Sequence, residues 1–399
     1  MGKISRRKFV TTTVVSGVGA TLMPGLAKSQ AKDKLQIAYA AAYDNQRNII
    51  QNPLSNNSKI WHTYPAKYWN SQALHLGNGY FGASFFGGFE EEVFALSEKS
   101  MWTGNPANGD WEKAGVNPKA KETLPLIRDA IMKGKSQEAD SLVTRNFFGS
   151  SELFGNFTSV GDLKIKFLNQ GTTCVNYLRT LDLANSLGLV QYTMNNIAFK
   201  REYFCSYPDR VLGMKFSANR PGNISFSLSM DIRQDSSSVE ISGNRYRVKG
   251  FIGGNKRPFH VSIYVKNEGG KVSQLNGNLT VSGANSVELY LTVATNYEMK
   301  YPDYTGDNPE SITNEIIQKV IIQKYDQLKQ RHISDYKSLY DRVAFSIKGN
   351  EETEKLPTNE RFEKLKSGIP DPGYKVLAFY LGRYLIISSS RPNTLPANL

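Results

Sequence analysis

From about Trp61 to Asn296, apolar and polar residues alternate with period two. Leu163-Lys164-Ile165-Lys166-Phe167, Ile224-Ser225-Phe226-Ser227-Leu228, Tyr246-Arg247-Val248, Val261-Ser262-Ile263-Tyr264-Val265 and Val287-Glu288-Leu289-Tyr290-Leu291 each put alternate side chains on one face, which predicts half-buried strands. Between the runs stand Pro221-Gly222-Asn223, Ser242-Gly243-Asn244, Gly253-Gly254-Asn255, Glu268-Gly269-Gly270 and Asn276-Gly277-Asn278. Turn residues at such short intervals predict an antiparallel meander folded into a large two-sheet sandwich.

Two stretches break the alternation. Asn117 to Phe147 reads as a helix pair: Pro118 suits a first turn, Leu124, Ile127 and Ile131 share a face, and beyond Gly134 so do Ala139, Leu142, Val143 and Phe147. Its charged outer face predicts a solvated cover over a sheet edge. At Asp307-Asn308-Pro309-Glu310 the period changes for good. Asn308 can cap, and Ile312, Ile316, Val320, Leu328, Tyr336 and Leu339 recur at helical spacing to about Asp341, a long helix or broken pair that leaves the sandwich as a connector. A short strand at Ala344–Ile347 and a helix opening at Asp371-Pro372 follow. Between Tyr374 and Ile387 that helix is apolar on nearly every side, as in the core of a helical assembly. Only Ser388 to Leu399 come after it, so the pattern predicts a second domain that begins here without closing.

The first thirty residues have another character. Ser5-Arg6-Arg7-Lys8-Phe9-Val10 leads into a modestly apolar Thr11 to Leu26 and then Ala27-Lys28-Ser29-Gln30-Ala31. This is the layout of an export signal over residues 1–31, cleaved after Ser29 or Ala31, and its paired arginines resemble the twin-arginine type. It predicts a periplasmic or secreted protein.

The formal charge of the 399-residue chain is +13, which changes meaning once located. Five basic residues and no acid lie in the first 31; without them 44 basic residues face 36 acidic ones, +8, with no like-charge run of five. Nucleic acid is therefore not an expected partner. Cys174 and Cys205 are the only cysteines, and His62, His75, His260 and His332 show no ligand spacing with them or each other, so neither metal nor cofactor is expected. The cysteines read as buried small hydrophobes, with a disulfide after export as the other possibility.

Gly77-Asn78-Gly79-Tyr80-Phe81-Gly82 matches the dinucleotide fingerprint, but strand and turn follow it where a helix is required, so the glycines read as tight turns between core strands. Paired carboxylates for sugar hydrolysis are not evident. Glu90-Glu91-Glu92 reads as a solvated turn, Glu98 sits in a β-run beside Lys99, and Asp162 and Asp182 fall at strand ends.

Seven collinear segments carry a resemblance. Ala73-Leu74-His75-Leu76-Gly77-Asn78-Gly79-Tyr80-Phe81-Gly82-Ala83 with Phe86-Gly87-Gly88, Leu96 to Pro106, Val160-Gly161-Asp162-Leu163, Tyr177 to Leu183, Arg201-Glu202-Tyr203-Phe204 with Ser206 and Pro208-Asp209, Gly382 to Pro392, and Leu395-Pro396-Ala397-Asn398-Leu399 resemble the opening of glycoside hydrolase family 95, the inverting α-L-fucosidases. The resemblance runs from Trp61 to the last residue. His75 stands where the family usually has proline, Tyr80 where a basic residue is common, and Lys99 where an acid is common.

The resemblance implies a mainly β fold with added helices. It divides the chain into an N-terminal β-sandwich over 60–305, a helical linker over 306–345, and over 346–399 the start of an incomplete (α/α)6 barrel. In such enzymes a glutamic acid protonates the leaving group while asparagines, with an aspartate, activate water. These lie in the barrel downstream of Leu395–Leu399, so no catalytic residue is expected in this chain, and Arg391 and Asn398 are its substrate-side candidates. Two functions follow. One is the N-terminal portion of an exported fucosidase-like hydrolase acting on a fucosylated oligosaccharide or a plant or host glycan, with the missing barrel half as a partner. The other is a non-catalytic carbohydrate-binding or accessory sandwich. An exposed aromatic ring would favour the second, although core packing is the expected home of most of Trp61, Trp69, Trp102 and Trp111.

Overall fold

A computed structural model describes residues 58–104, 115, 117–149, 155–168, 171–234 and 236–397. Residues 1–31, expected to be an export signal, together with Trp111 and Asn398 lie outside the described residues. The chain enters through strands β1 (Lys59–His62), β2 (Leu74–Gly77), β3 (Phe81–Phe85) and β4 (Glu91–Glu98), with a short helix α1 (Trp69–Gln72) after β1. A helix pair, α2 (Ala120–Met132) and α3 (Ser136–Asn146), precedes β5 (Gly161–Phe167), β6 (Val175–Asp182), β7 (Leu187–Met194), β8 (Ile197–Ser206) and β9 (Val211–Ala218). Then come β10 (Ile224–Ile232), β11 (Ser236–Ser242), β12 (Arg245–Phe251), β13 (Pro258–Glu268), β14 (Lys271–Leu275), β15 (Asn278–Ala284) and β16 (Ser286–Thr295). Helices α4 (Pro309–Ile321), α5 (Tyr325–Tyr340), α6 (Glu351–Glu354), α7 (Thr358–Lys366) and α8 (Pro372–Ser389) complete it.

Among the described residues the strands form two antiparallel sheets. One has nine strands in the order β1-β6-β7-β8-β9-β16-β13-β12-β11, the other seven in the order β14-β15-β10-β5-β4-β3-β2. Their facing sides bury a continuous apolar core in which Phe85, Phe94, Leu163 and Ile165 of one sheet meet Val190, Tyr203, Met214 and Leu289 of the other. The alternating strands and the turns between them are as the sequence predicts. Asn276 and Gly277, both at positive φ, close the two-residue β14–β15 hairpin, the backbone that the Asn-Gly pair favours.

β16 reads apolar on both faces because both are covered. Its outer side lies under α4 and α5, where Tyr290 and Phe204 pack with Ile317, Val320 and Leu328. Asn308 caps α4 by accepting from the Glu310 and Ser311 amides, and a break at Ile322–Lys324 separates the two helices. The pair covers the outer face of the nine-stranded sheet, with the Tyr336 hydroxyl donating to the Leu183 carbonyl at 2.7 Å.

Three local expectations are corrected. Residues Ala344–Ile347 form no strand: the segment is exposed and its backbone pairs instead with the Tyr380 hydroxyl, because no strand edge lies beside it. In the α2–α3 pair Ile127, Ala130 and Ala139 form a small cluster of their own while Ile131 is exposed, so the helices pack on each other rather than capping an edge. Glu92 is fully buried. It shares the inward face of β4 with Phe94 and Leu96.

Glu92 sits in a polar bridge between the sheets. Its Oε1 accepts from the Gly87 amide at 2.7 Å and the Phe86 amide at 3.1 Å, and its Oε2 accepts from the Tyr203 hydroxyl at 2.9 Å, with the Arg201 guanidinium 3.5 Å away. Arg201 lies 3.7 Å over the Phe167 ring and donates to the Gly88 carbonyl at 2.6 Å. Burial pushes the Glu92 carboxyl up, against the pull of Arg201, the Gly87 amide and Tyr203.

Candidate glycan-facing cleft

The β2–β3 turn receives the end of the chain. Gly79, at φ +84°, donates its amide to the Ser388 carbonyl at 2.8 Å and leaves room for Arg391, whose Cγ would lie 2.8 Å from a Cβ there. Arg391 turns its guanidinium to both carboxylate oxygens of Asp335, at 2.9 and 2.8 Å, and lies 4.0 Å over the Tyr207 ring. Tyr207 donates to the Pro392 carbonyl at 2.9 Å and stacks on Tyr80. Lys99, at the end of β4, donates to the Leu395 and Pro396 carbonyls at 2.5 and 2.8 Å. Its burial lowers its pKa while neighbouring Glu98 raises it. Four segments of the sequence resemblance therefore meet at one place: the Gly77–Gly82 turn, Lys99, the Tyr207 loop and Arg391–Pro396. None of the first three is catalytic in geometry; together they seat the last segment on the sandwich.

Two cavities flank that seat. One, of about 460 Å³, is lined by Trp69, His75, Lys99, Phe157, Tyr384 and Ala397 among others. Trp69 is 56% exposed and His75 Nδ1 lies 2.8 Å from the Ser84 hydroxyl, which accepts from Trp69 Nε1. The other, of about 260 Å³, is lined by Ser100, Trp102, Gly104, Asn255, Arg257, Tyr297, Tyr304 and Leu395. Phe157 of the first and Trp102 of the second are in edge contact at 5.7 Å. Trp69 and Trp102 are thus surface aromatics, contrary to the expected core packing, because they stand on the rims of these cavities; Trp61 is half-buried.

The carboxylates of the region are structural. Glu98 is buried at the sandwich edge, bonded to the Ser100 hydroxyl at 2.6 Å and amide at 2.8 Å, and burial pushes it up to about 7. Asp162 pairs with Arg233, and Asp182 accepts the Ala184 and Asn185 amides in a turn. Gly77–Gly82 is a strand-turn-strand, without the helix a dinucleotide site needs. Among the described residues no three His, Cys, Asp or Glu side chains are placed to hold a metal ion. Cys174 and Cys205 are free thiols, Cys205 buried and Cys174 half-buried. The sequence reading missed Tyr297, Tyr304 and Arg257; the signal available was the tyrosine-rich stretch Tyr297, Tyr301, Tyr304 directly after the last strand.

The structure is thus a large two-sheet sandwich with helices on its outer face and two cavities bordered by aromatic side chains. Residues 60–300 match the family described as "Glycosyl hydrolase family 65, N-terminal domain", and residues 324–399 match "Glycosyl hydrolase family 95 catalytic domain". The first match spans more than half of the chain, which belongs to that N-terminal-domain family; the second covers its C-terminal residues 324–399. It is 31% identical to Alpha-L-fucosidase 2 of Arabidopsis thaliana over 87% of this chain and 44% of that protein. It is 28% identical to Probable alpha-fucosidase A of Aspergillus niger over 87% of this chain and 45% of that one. The chain thus spans about half the length of the curated relatives it matches. Among solved structures, a putative kojibiose phosphorylase from the human microbiome aligns with TM-score 0.43 and 10% identity over 84% of this chain and 42% of that one.

Proposed function

We propose that this chain is the N-terminal portion of an exported α-L-fucosidase-like hydrolase that removes terminal α-L-fucose from glycans with inversion. The observation that carries the reading is the 31% identity to a plant α-L-fucosidase across 87% of the chain. In its domain division, residues 1–31 are the export signal, 60–305 the sandwich, 306–345 the linker and 346–399 the opening of an (α/α)6 barrel.

Inversion needs a general acid and a base carboxylate about 6.5–9.5 Å apart, leaving room for a water between base and sugar. On this reading both belong to the barrel beyond Leu399, and this chain supplies the frame. Arg391 and Asn398 stand on the substrate side. The Arg391 guanidinium is committed to Asp335 and Tyr207, so it acts by holding the segment Arg391–Pro396 in place.

The test is proton NMR of the reaction catalysed by the complete polypeptide encoded by the reading frame, and by the 399-residue chain alone. The complete protein is expected to release β-L-fucose first from an α-L-fucoside, and the 399-residue chain to release none. Fucose released first as the α anomer, or none from the complete protein, overturns the reading. The accessory-sandwich alternative is favoured by one observation, the exposed Trp69 and Trp102 on the cavity rims.

A further inference from the structure

We propose that the smaller cavity, between Trp102, Asn255, Arg257, Tyr297 and Tyr304, is a saccharide subsite that takes a sugar ring of the glycan on the far side of the bond to be cut. The place of the subsite in the reaction rests on the fucosidase reading; its ability to bind sugar does not.

Sugars are recognised by aromatic faces that cover their C–H surfaces and by fixed polar groups that meet their hydroxyls. Aromatic faces are brought together here from two separate parts of the chain, with Asn255 and Arg257 beside them in the lining. Tyr297 and Tyr304 lie with rings nearly parallel, 4° apart in plane, and Trp102 is 37% exposed on the opposite rim. A volume of about 260 Å³ falls below the ~300–1,000 Å³ of drug-sized sites, and suits a single ring.

The walls are held before any ligand arrives. Arg257, 8% exposed, donates to the Tyr304 carbonyl at 2.8 Å and the Asp303 carbonyl at 3.0 Å, which fixes the tyrosine loop to the start of β13. Its guanidinium lies 5.7 Å from the Tyr297 ring centroid. The Asn255 amide donates to the Trp102 carbonyl and to the Gly104 carbonyl, and Trp102 Nε1 donates to the Lys99 carbonyl at 3.0 Å. Rigid aromatic walls cut the ordering cost of binding, which is where a small site gains affinity. Core packing alone does not explain this construction, because the rings border open space and the restraints run to loop carbonyls.

The location assigns the role. Leu395 completes the lining, and the same Lys99 whose carbonyl holds Trp102 grips the Leu395 and Pro396 carbonyls. A sugar in this cavity therefore lies beside the segment proposed to face the substrate.

The experiment is calorimetric titration of the 399-residue chain with lactose, a neutral disaccharide without fucose, and with L-fucose. Lactose binding is expected, weakened about tenfold in Trp102→Ala and in Tyr304→Ala, and unchanged in Leu275→Ala, an exposed side chain on the β14–β15 hairpin. Circular dichroism melting of each variant separates loss of binding from loss of fold, and Tyr304→Phe, which keeps the ring, is expected to bind nearly as the parent does. In the complete protein Trp102→Ala is expected to raise KM for 2′-fucosyllactose while leaving KM for an aryl fucoside unchanged. Absence of lactose binding by the parent chain, or equal binding by a folded Trp102→Ala and Tyr304→Ala, overturns the subsite. Lactose binding together with no fucose release from the complete protein sinks the fucosidase reading and leaves the subsite standing.

Discussion

At the scale of single residues, several positions that carry the family resemblance turn out to hold the sandwich together. Phe86-Gly87-Gly88 is such a case. Gly87, at φ +76°, faces its amide to Glu92 while its carbonyl accepts the Tyr177 hydroxyl at 2.7 Å, and a Cβ there would lie 2.5 Å from Arg179 Cδ. Gly88 offers its carbonyl to Arg201, so the two glycines tie β8 of one sheet to the β3–β4 loop of the other. Removing one partner of a buried ion pair leaves the other uncompensated, at a cost of about 3–5 kcal/mol. Glu92→Ala should therefore lose about that much stability in urea unfolding, since Arg201 and Tyr203 stay buried without it. Glu92→Gln keeps an acceptor for the Gly87 amide and should fall between. A Glu92→Ala variant within about 1 kcal/mol of the parent would mean that water reaches the Arg201 site and the bridge carries little.

At the scale of elements, the strands were legible because one face of each is buried, and burial writes itself into period two. Glu92 was legible too, from parity with Phe94, Leu96 and Glu98 on β4, but three consecutive acids outweigh parity when the far sheet is unseen. Ala344–Ile347 fails in the opposite way: its alternation is real, yet a strand needs an edge to pair with, and that is a property of the fold. The seat of the chain's end was not legible at all, because Gly79, Lys99, Tyr207 and Arg391 are brought together only by the packing of α8 on β2 and β3. That seat makes a prediction of its own. Gly79→Ala combines a left-handed φ with a Cβ 2.8 Å from Arg391, whereas Gly134→Ala meets a φ of +69° with nothing within 4 Å. Gly134→Ala should cost about 1 kcal/mol for backbone strain alone. Gly79→Ala should cost more, and should speed amide exchange between Ser388 and Leu395. Equal losses in the two variants would show that the Arg391 loop yields without resistance.

At the scale of the whole molecule, the buried imidazoles set how the fold answers acid. Burial holds His62, His260 and His332 at about 4, with Arg179 adding to the effect at His62. In the unfolded chain each returns to about 6.5, so between those values the unfolded state takes up protons that the folded state refuses. The stability tied to each histidine is complete above about pH 6.5 and drains as pH falls toward 4. A shift of that size corresponds to about 3 kcal/mol per fully buried group. Glu98, pushed up to about 7, works the other way, its contribution complete below about pH 4.5 and draining as pH rises. His75, also lowered by burial, joins the histidines and Glu92, also raised, joins Glu98, so four groups against two make acidification destabilising over pH 6.5–4.5. His332 isolates the effect best, since it is stacked on Phe204 and Tyr336 with Nε2 at 2.9 Å from the Ser186 carbonyl. Its replacement in His332→Gln keeps a donor for that carbonyl and removes one proton from the difference between states. The slope of unfolding free energy against pH should flatten by about 1.4 kcal/mol per pH unit in that window, whatever the variant's stability at neutral pH. Parallel slopes for parent and variant would mean that His332 is protonated as easily inside the fold as outside it, and that the α5 cover on the nine-stranded sheet admits water.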